Sequence, residues 1–187
     1  MEGAAQDSKP HSQDLRTQYT QKDTSYWVVN FEQFRDALYH RNKAKAKLFF
    51  DFPIGTENGE LWYMALGENA QIKDTAASLK VFTAKDFERY FDKIFPKELV
   101  QGFLKIKLKE LYSKGQYETA IWKVKDAKYK LYASYDPSVG TVELNLSVHT
   151  AVPLSTNEYD TLESNYIYRF TILPNGNIKF RDFFIAG

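Results

Sequence analysis

The chain of 187 residues has no cysteine, which excludes disulfides, thiol nucleophiles and thiolate metal sites but assigns no compartment. It also lacks an excess of either charge. The 25 basic and 24 acidic side chains leave a formal net charge of +1, so no global field draws in nucleic acid or an anionic membrane. No apolar run reaches the length of about 20 residues needed to span a bilayer. The opening MEGAAQDSKPHSQDLRTQYTQKDTS carries no apolar core of a signal peptide. Histidine is scarce, and no HxxxH or carboxylate cluster has metal-ligand spacing. Neither a metal nor a cofactor is expected, and no nucleophile motif or phosphate loop stands out.

Aromatic residues are abundant: 14 Phe, 13 Tyr and 3 Trp make up 16% of the chain, enough for rings to supply much of any core. Residues 1–25 are polar and bury too little to offset the entropy of ordering, so they are read as a disordered leader. Such a leader fits either the spacer behind a removed signal, placing the protein in the periplasm or on the cell surface, or an ordinary cytoplasmic tail. Residues 26–187 are read as a single domain.

Within it, Asn30 with Gln33 has capping-box spacing, and Val29 with Phe34 that of a hydrophobic staple, so a first helix is expected from Phe31 to Lys47. Leu48 to Ile54 and Leu61 to Leu66 read as a strand pair around the turn Gly55 to Gly59, and Gly67 to Lys80 as a loop. Thr83 with Asp86, and Phe82 with Phe87, start a second helix that breaks near Phe95 before Pro96. Leu99 to Leu111 is expected to form one third helix, with Gly102 marking a close backbone approach. From Gln116 onward the period is two. Strands are expected at Tyr117–Val124, Tyr129–Tyr135, Thr141–His149, Asn165–Leu173 and Ile178–Ile185, with a hairpin turn at Asn175-Gly176.

The order of these elements, and the segments VNFEQF, TAKDFERYFDKIFP and NYIYRFTILPNGNIKFRDFF, resemble the NTF2-like group of the cystatin-like superfamily, and its uncharacterised secreted bacterial members more than its enzymes. The resemblance covers residues 26–187. It implies an α+β fold in which three N-terminal helices pack on a curved antiparallel sheet and enclose a conical pocket. The fold alone selects no function.

Candidate chemistry is thin. His11 lies in the leader and His40 on a basic helix face. His149, at the end of a strand, shares a sheet face with Glu143, Asn145 and Ser147 and reads as a solvated polar position or a proton carrier. Asp182, between Phe180 and Phe184, falls by alternation on the concave face with Ile178. It reads as an ion-paired carboxylate or as a pocket acid with a raised pKa. Arg169 and Arg181 fall on the opposite parity. The best catalytic candidates are therefore Asp182 and His149, both weak. Trp62, Trp122, Tyr132 and Tyr168 are candidate ligand-binding rings. Basic residues in RNKAKAK and at Lys105, Lys107 and Lys109 spread around their helices and point to no nucleic acid.

The leading expectation is a non-enzymatic binding module that takes a small apolar ligand or a protein partner, including a second copy through the sheet. Two alternatives stay open. One is an isomerase- or hydratase-type pocket enzyme, and the other is an immunity or secretion-system partner protein.

Overall fold

The computed structural model describes residues 26–55, 60–67, 81–153 and 159–187. The expected leader and most of the segment read as a loop, 68–80, lie outside the described residues. The chain is α+β. Among the described residues it has six helical segments and an open six-stranded antiparallel sheet.

Helix α1, Tyr26–Tyr39, starts earlier than the Asn30 cap predicts. Trp27, Phe31, Phe34 and Leu38 are all buried at helical spacing, and the Trp27 ring lies 4.8 Å from that of Tyr135. This tertiary burial outweighs the local cap signal. Asn30 instead donates Nδ2 to Tyr26 O at 3.0 Å, inside the helix. The helix also ends sooner than expected. Arg41 takes a left-handed φ of 53°, and Asn42 caps a separate short helix α2, Lys43–Lys47, by accepting from Lys45 N.

The expected hairpin is absent from the described residues. Only a two-residue strand β1, Ile54–Gly55, forms, and it pairs with β2, Val81–Phe82. Between them stands helix α3, Glu60–Leu66, which buries Leu61, Trp62 and Ala65 while Tyr63 is exposed. Alternation would have grouped Leu61 with Tyr63, so the helical period prevails.

Helix α4, Ala84–Ile94, carries the expected reciprocal capping box between Thr83 and Asp86. The third expected helix is two: α5, Lys97–Lys105, and α6, Leu108–Lys114. Ile106 and Leu108 are both buried while Lys105, Lys107 and Lys109 are exposed. A continuous helix could not satisfy that alternation, so the chain extends between α5 and α6.

The sheet comprises β3, Gln116–Glu118; β4, Trp122–Val124; β5, Ala127–Asp136; β6, Thr141–Pro153; β7, Tyr159–Ile172; and β8, Ile178–Ala186. Its order is β3-β5-β6-β7-β8, with β4 also pairing β5. Helices cover one face. Phe34 lies 5.2 Å from Phe170, Tyr168 lies 5.9 Å from Phe95, and Phe31 and Phe103 complete a ring-filled core. Gly102 makes the expected close approach, since a Cβ there would stand 3.0 Å from Trp122 Cη2. At the β8 edge, Phe180 N donates to Phe49 O at 2.8 Å. At the other edge, β3 and β4 are only three residues each. Edges this short disfavour strand addition.

Candidate functional site

The face turned away from the core is built by alternation on β5, β6 and β7. Cross-strand register places Tyr132, Asn145, Ile167 and Phe184 in one row. The adjacent row holds Ser134, Glu143, Arg169 and Asp182. Tyr132 is 41% exposed, and Ile167 and Phe184 are partly exposed. Both rings carry a cation. Lys130 Nζ lies 4.7 Å from the Tyr132 centroid, and Arg169 Cζ lies 4.7 Å from that of Phe184.

Asp182 belongs to this open face and not to the core side. The register shifts between Arg169 and Phe170, so that Phe170 opposes Phe180 while Arg169 opposes Asp182. Arg181 is the extra residue of that bulge, and it reverses the parity that alternation assigned to Asp182. The Asp182 carboxylate lies 3.6 Å from Arg169 and 3.3 Å from Arg181, in keeping with an ion-paired carboxylate. Burial still raises its pKa above the ordinary value, with the two arginines opposing that rise less strongly.

His149 is not at a strand end, because β6 continues to Pro153. Its Nε2 lies 3.0 Å from Ser147 Oγ and 3.9 Å from Glu163 Oε1. This grouping of serine, histidine and carboxylate differs from a catalytic triad in two respects. Serine and glutamate address the same ring nitrogen, whereas a triad places the acid on the other one. Ser147 is also only 2% exposed and donates to Glu163 at 3.3 Å. The arrangement is a polar clasp between β6 and β7. His149 and Glu143 are six residues apart along β6, about 20 Å, so the row carrying Asp182 and the His149 cluster do not meet.

The four candidate rings also stand apart. Tyr168 is 1% exposed and its hydroxyl donates to Ile94 O at 2.6 Å, which makes it a core residue and corrects its reading as a ligand-binding ring. Trp62 is 6% exposed and packs 4.9 Å from Phe82. Trp122 stacks on Tyr129 at 5.7 Å on the helix-covered side. Tyr132 alone faces outward on the open face.

Beside Tyr132, where α6 overhangs the β3 edge, lies a cleft of about 570 Å³ lined by Glu110, Glu118, Tyr132, Ser134, Glu143 and Asn145 among others. No protein-family model, curated protein or solved structure matches the chain.

Sequence reasoning did not find this cleft. Parity did group Glu143 with Asn145, but the cleft depends on β3 reaching β5 across a loop, where Thr119 bridges the interruption. Its backbone N donates to Leu131 O, and its Oγ1 accepts from Leu131 N, both at 3.0 Å. Among the described residues no helix is long and apolar enough to cross a membrane. No group of three or more potential metal ligands is gathered among them either.

Proposed function

We propose that the chain is a non-enzymatic binding module of NTF2-like architecture that engages a protein partner through its open sheet face. The observation that carries this reading is the row Tyr132, Asn145, Ile167 and Phe184, which presents two rings and an isoleucine to the outside. The opposite face meanwhile packs its rings against helices, with Phe31, Phe34, Phe95, Phe103, Tyr168 and Phe170 all at most 1% exposed. Aromatic and apolar side chains framed by charged ones suit a protein interface. The partner is either a second copy of the chain or a different protein of the immunity or secretion type. The polar leader would then serve as the spacer that holds the exported domain away from its attachment.

Placing a charge at mid-face tests the reading through Ile167→Arg. The variant is expected to abolish concentration-dependent dimerisation in sedimentation, or to lose a host protein retained by the wild-type chain. Equal sedimentation and equal retention by both forms would refute it. N-terminal sequencing of the native protein tests export.

A second reading, an apolar ligand held on the helix-covered side, draws support from the tyrosines there. Tyr129 stacks on Trp122 at 5.7 Å, and both rings, with Tyr166, are only partly buried. Because Trp122 stacks on Tyr129, apolar ligands entering there should change tryptophan fluorescence, and a silent screen would count against this reading.

A further inference from the structure

Three of the four cations between Arg41 and Lys47 are engaged with α4 and its C-cap. Arg41 pairs with Asp92 and donates to Phe95 O, Lys43 donates to Glu88 O at 2.7 Å, and Lys47 pairs with the Glu88 carboxylate at 2.5 Å. Lys45 is the exception. Its ammonium has no hydrogen bond or ion pair among the described residues, and it lines a second cleft, of about 430 Å³, between α1 and α2.

The other wall of that cleft is α1, where Gln33, Asp36 and His40 follow one another at helical spacing and so share a face. Asp36 likewise has no partner among the described residues. One cleft is thus lined by a carboxylate and an ammonium that pair neither with each other nor with the rest of the fold. Most of the remaining lining is apolar. Ala37 and Phe49 are buried, while Leu48 is 71% exposed, the highest value for any large hydrophobic side chain among the described residues. Asn42 already uses its side-chain oxygen to cap α2.

An apolar lining with a few placed polar groups, at this volume, is the composition of a small-ligand site. A ligand with one charge would meet one wall and leave the other to water. A zwitterion meets both, and an apolar side chain on it would cover Leu48. We propose that the cleft between α1 and α2 binds a dipeptide or free amino acid with an apolar side chain, its ammonium on Asp36 and its carboxylate on Lys45. Gln33 and His40, one turn to either side of Asp36, can hydrogen-bond the remaining polar atoms of such a ligand. The site lies in the helical layer and is independent of the open-face reading above.

The test is an amide-resolved NMR titration of the full chain with Leu-Leu. Two controls accompany it: N-acetyl-Leu-Leu, which lacks the ammonium, and Leu-Leu amide, which lacks the carboxylate. Leu-Leu is expected to shift amides within 33–49, and each blocked form should bind about two- to five-fold more weakly, the scale of an exposed ion pair. Variants then assign the walls. Asp36→Asn should bind Leu-Leu and N-acetyl-Leu-Leu alike, and Lys45→Gln should bind Leu-Leu and Leu-Leu amide alike. Both positions are exposed, so both variants should keep the fold. Leu48→Ser should weaken all three ligands about three-fold or more. The inference is overturned if amides within 33–49 do not move, if either blocked form matches Leu-Leu on the wild-type chain, or if Asp36→Asn and Lys45→Gln leave the discrimination in place.

Discussion

Replacing Tyr168 with phenylalanine removes one oxygen and leaves the packing of the ring in place. That oxygen donates at 2.6 Å to the carbonyl of Ile94, at the end of α4, and the residue is 1% exposed. No water can take over the bond. Leaving a buried acceptor unpaired costs about 1–3 kcal/mol, and in a chain of this size each kcal/mol lowers Tm by about 2–4 °C. Urea unfolding followed by far-UV circular dichroism measures the loss, with Tyr132→Phe as the exposed comparator expected to change stability by under about 0.5 kcal/mol. If Tyr168→Phe also costs under about 0.5 kcal/mol, the hydroxyl is not sealed against Ile94, and the assignment of Tyr168 to the core fails.

Gly102→Ala gains helix propensity but drives a methyl against Trp122 and Leu131 at 3.0–3.3 Å. A net destabilisation of about 1 kcal/mol with a shift in tryptophan emission is expected, and a stabilised variant would contradict the close approach. Thr83→Ala removes the cap of α4 and should cost about 1 kcal/mol in the same unfolding assay; an unchanged midpoint would mean that the capping box contributes nothing. For Asp182, the folded-state pKa is raised, so the folded chain holds that proton more readily than the unfolded chain. The stabilisation tied to this group is present at low pH and is lost as pH rises through the folded value. Asp182→Asn should therefore match or exceed wild-type stability at neutral pH, with the wild type gaining on the variant as pH falls into the carboxylate range. The opposite trend would mean that the two arginines outweigh burial.

The C-terminal meander was legible because one of its faces is buried, and alternation records that directly. Inward Leu131, Ala133, Val142, Leu144 and Leu146 are all at most 3% exposed. The bulge at Arg181 was not legible, since no glycine or proline marks it and only the pairing with β7 reveals it. That one residue moved Asp182 from the expected core side to the open face. In the helical half, Thr83 with Asp86 could be read because a cap is a local device. The start of α1 could not, because it depends on Trp27 meeting Tyr135 across the whole sequence. The segment Lys105 to Lys109 did carry a usable signal, since its strict alternation is incompatible with a single continuous helix. Of the candidate site, Tyr132 could be recognised as exposed from its parity relative to Tyr135. Its place beside Glu118 required the short strand β3, which three residues of sequence do not specify.

Hydroxyl-radical footprinting of the free chain, read residue by residue by mass spectrometry, tests most directly whether one sheet face is open and the other filled. Tyr132, Ile167 and Phe184 should oxidise readily while Tyr168, Phe170 and Phe34 stay protected, and any complex should shield the first set alone. Rapid oxidation of Tyr168 with protection of Tyr132 and Phe184 in the free chain would contradict the account.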